Sequence, residues 1–295
     1  MLSRITTVTA VALLTASFSL NAQDWRVSSQ QTVSGFKFPE SAAYDPVGKV
    51  LYVGNFGGDK LAPAEKDGKG YISKVALSGK VLEEKAFDVT MNKPKGIWIE
   101  RGRLWVTDID GVWIFDLKTK KGRKLDLPLA FANDPAVSEG ALYVTDNRND
   151  KMVKVEPADF LTSKGAPKIT VLENLGINAN GVAPAGDGQV YVVGFLAPDK
   201  PKGIYTLGVS GQVRPVSDPI GRLDGVYALK GGGLLFTDWN TGSLSVWSEK
   251  GGVKQLASGF KGPADFAVVP GSDGSMTVVV PDLPASTLRF VQLRK

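Results

Sequence analysis

The 295-residue chain contains no cysteine and no histidine. Without cysteine the fold uses no disulfide, and a chain of this length can build a sufficient core without one. The absence of histidine excludes more. Ser-His and Cys-His nucleophile systems lose their base, and His-ligated metal sites, including those of most zinc hydrolases, lose their ligands. Helical periodicity is nearly absent; only Pro157 to Lys164 has the composition of a short helical turn. Apolar runs are mostly five to seven residues long, which is strand length and too short to span a bilayer as a helix. A basic stripe with interleaved aromatics is also missing. The net charge is +5, but the basic residues are dispersed in short clusters such as Lys118 to Lys124 and Lys200 to Lys202. That pattern fits a solvated surface, so no nucleic-acid partner is expected.

Residues 1–22 stand apart from the rest. Arg4 supplies a positive start, Val8 to Leu20 is a lightly broken apolar stretch, and Leu20-Asn21-Ala22 places a small residue before Gln23. These are the three parts of a secretory signal peptide, and the stretch is short for a membrane anchor. The expectation is a leader at 1–22, a mature domain at 23–295, and a periplasmic or secreted protein that keeps no membrane contact after cleavage.

From residue 35 onward, what is present is a repeat. A polar residue opens a short apolar run, a Gly-rich turn follows, and a second run ends in a polar pair. Arg222 to Trp247 shows it well: Asp224-Gly225 opens, Lys230 to Gly233 turns, and Leu234 to Phe236 runs into Thr237-Asp238 before a third run reaches Trp247. The heads of the six units are residues 40, 95, 133, 180, 224 and 265, with spacings of 55, 38, 47, 44 and 41. A period of roughly 40–50 residues with four strands per repeat indicates blades of a β-propeller. The sixth unit runs out of chain before a fourth strand, while the run Trp25 to Val33 is left over at the other end. The expected architecture is therefore an all-β, six-bladed propeller whose N-terminal strand completes the last blade and removes an open edge.

The first strand of a blade lines the central channel, so Glu40, Lys95, Asn133, Asn180, Asp224 and Asp265 should converge at one end. Strand two is antiparallel, so its end lies at the same face, with Phe56, Asp108, Asn147, Phe195 and Trp239 standing around them. Asn-Gly and Asp-Gly pairs are common turn formers. Here they open apolar strands instead of joining hairpins, and they do so at the same place in each unit. Carboxylates and carboxamides facing one point need a cation between them. Oxygen donors without imidazole or sulfur suit Ca²⁺ best, with Mg²⁺ or Mn²⁺ as substitutes.

Pro39-Glu40 with Asp45 to Val53, then Asn133-Asp134, Asn180-Gly181 and Asp224-Gly225, resembles the senescence marker protein/gluconolactonase/luciferin-regenerating enzyme family. That family includes regucalcin, and diisopropyl fluorophosphatase and Drp-type lactonases are its relatives. The resemblance covers residues 35–293. It implies a six-bladed propeller with a divalent metal, usually Ca²⁺, held by Glu40, Asn180 and Asp224. Asn133 would lie at the metal or the substrate, and Asp224 would act as base or nucleophile in lactone or ester hydrolysis. Two positions depart from the family pattern. Phe131 stands where gluconolactonase-type members often carry Arg, and Lys95 occupies a head position, either to meet an anionic group or to extend to solvent. Lys95, Phe131, Phe195 and Trp239 are the expected substrate contacts. Two alternatives stay open. One is a non-catalytic propeller that binds a small ligand or a protein around a structural ion. The other is a metal-free ring in which Lys95 pairs with Glu40 or Asp224.

Overall fold

The computed structural model describes residues 22–208 and 210–295. The leader reading of residues 1–22 falls outside them except at Ala22. A short 3-10 turn, Ala22–Asp24, precedes twenty-four strands. Blade one holds β2 (Pro39–Asp45), β3 (Val50–Asn55), β4 (Tyr71–Ala76) and β5 (Val81–Glu83). Blade two holds β6 (Pro94–Glu100), β7 (Arg103–Asp108), β8 (Gly111–Asp116) and β9 (Gly122–Asp126). Blade three holds β10 (Ala132–Ser138), β11 (Ala141–Asp146), β12 (Lys151–Glu156) and β13 (Lys168–Leu172). Blade four holds β14 (Ala179–Gly186), β15 (Gln189–Gly194), β16 (Ile204–Leu207) and β17 (Val213–Pro215). Blade five holds β18 (Leu223–Ala228), β19 (Leu234–Asp238), β20 (Ser243–Ser248) and β21 (Gly252–Ala257). In blade six, β22 (Ala267–Pro270), β23 (Met276–Asp282) and β24 (Thr287–Arg294) are joined by β1 (Arg26–Ser34), which pairs antiparallel with β24 from Arg26↔Arg294 to Ser34↔Thr287. Each blade is an antiparallel sheet, and the six form a closed ring: an all-β six-bladed propeller.

The core is not one centre but a series of layers between neighbouring blades. Trp105, Val112 and Ile114 of blade two pack on Val137, Leu142, Val144 and Val153 of blade three. Equivalent layers join blades one and two, three and four, four and five, five and six, and six and one. A blade is therefore covered on both faces. This is why β3 and β11 are buried along their whole length, and why the second strands read as unbroken apolar runs instead of an alternating pattern. Each such Leu, Val or Ile contributes about 1.5–3 kcal/mol by leaving water.

Close approach at the axis explains the glycines that follow the head residues. A Cβ at Gly96 would lie 2.0 Å from Asp134 Oδ1, and one at Gly181 would lie 2.0 Å from the carbonyl oxygen of Asp224. Gly96 and Gly181 let neighbouring first strands touch, so they are packing residues, not turn residues.

One local expectation is corrected. Pro157 to Lys164 forms bends and turns and no helix, because the Asp159 side chain accepts the amides of Leu161 and Thr162 and closes the chain locally. The fourth strand of blade one is short and stops at Glu83. Beyond it Ala86 and Phe87 turn inward to pack on Met91, Leu104 and Phe115. Among the described residues no helix is long and apolar enough to cross a membrane.

Candidate functional site

One register rule, repeated in every blade, builds the site. The residue before each head pairs with the last residue of the second strand: Pro39↔Asn55, Pro94↔Asp108, Ala132↔Asp146, Ala179↔Gly194 and Leu223↔Asp238. The ladder then breaks, and each head residue sits at an irregularity that frees its side chain from the ordinary alternation. In blade six the matching pair is Pro263↔Asp282. The residue after it is Ala264, not Asp265. The expectation that Asp265 joins the ring is therefore off by one residue, and a one-residue step sends a side chain elsewhere. Asp265 instead exchanges backbone hydrogen bonds with blade one, its N–H to Glu40 O and its carbonyl to the Ala42 N–H. Its side chain faces a second cavity of about 300 Å³, shared with Asp134, at the other end of the first strands.

The aspartates that end four of the second strands, three of them preceded by threonine, hold the heads in place. Asp108 accepts the backbone N–H groups of Asn92 and Lys93, Asp146 those of Ala130 and Phe131, Asp238 that of Arg222, and Asp282 those of Lys261 and Gly262. Each aspartate thus ties down the loop that leads into its own head residue. The preceding threonine reaches the next blade: Thr107 donates to Asn133 O, Thr145 to Asn180 O at 2.6 Å, and Thr237 to Ala264 O at 3.0 Å. Ser41 does the same for Lys95 O. Asp108 was expected around the site, but its carboxylate is used in this scaffold. The next residue, Ile109, holds in blade two the register position that Phe56, Asn147, Phe195, Trp239 and Leu283 hold in the other blades, and it is buried.

Glu40, Lys95, Asn133, Asn180 and Asp224 all line one cavity of about 260 Å³, together with Phe56, Phe131, Asn147, Phe195 and Trp239. Leu61, Pro63, Arg148 and Leu283, which the sequence pattern did not single out, complete it. Leu283 had a signal, since it follows Asp282 as Trp239 follows Asp238. Arg148 follows Asn147 directly. Leu61 and Pro63 come from the loop after β3, which is held down by the ion pair of buried Lys93 with Asp67 at 2.7 Å and by that of Lys66 with Asp110. Nothing periodic in the sequence marks this loop.

The cavity is divided electrically. Asp224 Oδ2 accepts the Trp239 indole N–H at 2.7 Å, and Phe195 meets Trp239 edge-on with ring centroids 5.7 Å apart. The Asn180 amide donates to Leu223 O at 3.2 Å, which leaves its Oδ1 aimed elsewhere. That oxygen, Glu40 Oε2 and Asn147 Oδ1 are buried and accept no hydrogen bond from the described residues. Burial, and then the charge of Asp224, pushes the Glu40 carboxyl well above its ordinary range, with Lys95 offsetting part of this. Burial pushes Asp224 up to about 7 against the hydrogen bonds from Trp239 and Asn180 and the charge of Arg222. Lys95 is 1% exposed, and its ammonium lies 4.2 Å from the Phe131 ring centroid. Burial pushes it down to about 8, opposed by Glu40 and Asp108. It forms no ion pair with Glu40 or Asp224. Its hydrogen bond is to Lys93 O at 3.4 Å, so the expected alternative of a self-neutralised ring is not the geometry found.

Orphaned buried oxygens and carboxyls driven toward protonation leave room in this cavity for a positively charged partner. Glu40, Asn133, Asn180 and Asp224 supply hard oxygen donors, the set suited to Ca²⁺ or a similar divalent ion. Among the described residues no three His, Cys, Asp or Glu side chains cluster in a way that could hold a metal; this donor set has two carboxylates and two carboxamides.

No family model and no curated protein matches the sequence. Solved structures do match over most of the chain. A gluconolactonase from Xanthomonas campestris is 15% identical with a TM-score of 0.63, covering 91% of this chain and 91% of that one. A calcium-binding regucalcin from Agrobacterium tumefaciens is 16% identical with a TM-score of 0.60, covering 88% and 91%. A catalytically inactive virginiamycin B lyase from Staphylococcus aureus, with a histidine replaced by alanine and quinupristin bound, is 16% identical with a TM-score of 0.58, covering 90% and 99%. At such identities the likeness shows the fold alone, a six-bladed propeller.

Proposed function

We propose that the protein is an exported, divalent-metal-dependent hydrolase acting on a lactone or ester-like small molecule. The observation that carries this reading is the pair of orphaned oxygens, Glu40 Oε2 and Asn180 Oδ1, which line the same buried cavity as Asp224 and Asn133. Glu40, Asn180, Asp224 and Asn133 would hold Ca²⁺, or Mg²⁺ or Mn²⁺ in its place. When bound, such an ion polarises a substrate carbonyl and steadies negative charge on its oxygen. The protein's own groups supply the rest. Trp239 fixes one oxygen of Asp224, and the carboxylate takes a proton from water or attacks. Asn133 orients the substrate. Phe56, Phe131, Phe195 and Trp239 exclude water and hold the apolar body of the substrate.

The fold is compatible with lyase chemistry as well, since a virginiamycin B lyase shares it. That lyase is inactive when one histidine becomes alanine, and this chain has no histidine to offer. Hydrolysis is therefore the better reading. Export rests on the leader-like residues 1–22.

The test uses protein recovered from the exported fraction, whose first residue should be Gln23. It is assayed on lactones and aryl esters with Ca²⁺, Mg²⁺ and Mn²⁺. Turnover should require metal, and Asp224→Asn should lower kcat/KM by about 10³-fold. A metal-stabilised protein with no turnover would instead be a ligand-binding propeller with a structural ion.

A further inference from the structure

Two cations in the cavity have nothing to pair with among the described residues. Lys95 is almost wholly buried, makes no ion pair, and spends one donor on a long bond to Lys93 O, although an ammonium has three. Its charge rests against aromatic rings, 4.2 Å from Phe131 and 5.7 Å from Phe56. Arg148 stacks on the same Phe131 ring, its guanidinium carbon 3.7 Å from the centroid, and makes no ion pair or side-chain hydrogen bond among the described residues. Compare Arg103, which is held by both Asp116 and Asp159. A stacked guanidinium keeps its planar fork of donors free for a carboxylate.

Charge balance gives the same answer. Glu40 and Asp224 contribute −2, and Lys95 and Arg148 contribute +2. A divalent ion brings the cavity to +2. With Lys95 buried and Arg148 at the solvent-facing edge, an excess of that sign favours an anionic ligand. We infer that the substrate carries a carboxylate, gripped by Arg148 and Lys95, while its ester or lactone carbonyl lies toward Glu40 and Asp224. The cavity volume of about 260 Å³ is at the small end of ligand sites, and its aromatic walls suit a compact ring. The substrate class is thus a small lactone or aryl ester bearing one carboxylate. The position of its carbonyl rests on the hydrolase reading; the carboxylate grip does not.

Two arms keep these apart. In the first, unreactive probes are titrated calorimetrically into the metal-loaded protein: cyclopentanecarboxylate, its neutral amide, and cyclopentyl phosphate. The carboxylate should bind about tenfold or more tighter than the amide. Arg148→Ala should remove most of that preference, and Arg148→Lys should restore part of it. Equal binding of carboxylate and amide, or an undiminished preference in Arg148→Ala, overturns the inference whatever the catalytic result. Tighter binding of the phosphate overturns the choice of carboxylate. In the second arm, γ-butyrolactone is compared with its γ-carboxy derivative. KM should be about tenfold lower for the carboxylated lactone, and Arg148→Ala should raise KM for it about tenfold more than for the neutral one. Equal effects on both lactones overturn the inference. Turnover of neither lactone, with the carboxylate probe still bound, counts against hydrolysis and leaves the anion subsite standing. Arg148 is exposed, so its variants should fold.

Discussion

Two sets of buried carboxylates lie at the same end of this propeller, and they behave in opposite ways. Asp108, Asp146, Asp238 and Asp282 end the second strands and accept backbone N–H groups from the loops below them. Glu40 and Asp224 head the first strands. Glu40 leaves a buried oxygen without a partner, and Asp224 has only the side chains of Trp239 and Asn180 as donors. Burial alone would push Asp146 up, yet the hydrogen bonds from Asn149, Ala130 and Phe131 hold it below the ordinary carboxylate range. At Glu40 and Asp224 the carboxyls are more deeply desolvated and meet fewer donors, so burial wins. The first set belongs to the fold, because its demand for positive partners is met inside the blade. The second set's demand is not met among the described residues, and the proposed metal site rests on that difference.

Mutation should separate the sets most strongly. Asp146→Ala strips partners from the Ala130 and Phe131 amides and from Asn149, so it should lower stability by about 3 kcal/mol. Asp224→Asn in EDTA-treated protein removes a strained buried charge and should leave stability unchanged or raised. Urea unfolding of both variants checks this; the reverse order would mean that the two sets have been confused.

A smaller effect should appear with pH in the metal-free protein. Asp224, at about 7 when folded against roughly 3.9 unfolded, binds a proton in the native state that the unfolded chain has released. Its contribution is full below about pH 4 and is lost as pH rises through 7. Glu40 and Asp265 are shifted in the same direction. Asp146 has the opposite sign: its contribution is present at neutral pH and is lost as pH falls through its depressed value. Lys95, near 8 when folded against roughly 10.4 unfolded, makes stability recover as pH rises between those values. Metal-free protein should therefore be weakest around pH 7 to 8, by on the order of 2 kcal/mol relative to pH 5. A chemical-denaturation series across pH measures it, and a flat profile would show that the ring carboxyls are not strained.

Much of this was legible in the sequence. The Thr-Asp endings and the polar heads recur at blade spacing, and both are consequences of a register that every blade repeats. What was not legible is where the register shifts by one. Ala264-Asp265 reads like Asn133-Asp134, and only the pairing of Pro263 with Asp282 shows that Ala264 is the head. Asp108 and Ile109 pose the same problem, since either could be drawn pointing at the axis. Arg148, Leu61 and Pro63 come from loops, where neither period nor apolar pattern constrains position. Lys95 was visible as an anomaly, but its burial against Phe131 was not, because a lysine stem lies along apolar surface equally well with its ammonium in water.

The most direct test is a thermal melt of the protein in EDTA, then with Ca²⁺ added, beside Glu40→Gln. A cation held by Glu40, Asn133, Asn180 and Asp224 binds only the native state, so at a hundredfold excess over its Kd it should add about 2.7 kcal/mol, a rise in Tm of about 5 °C or more. Glu40→Gln should lose most of that rise. Melting that ignores EDTA, Ca²⁺, Mg²⁺ and Mn²⁺ alike would contradict a metal site at the centre of this ring.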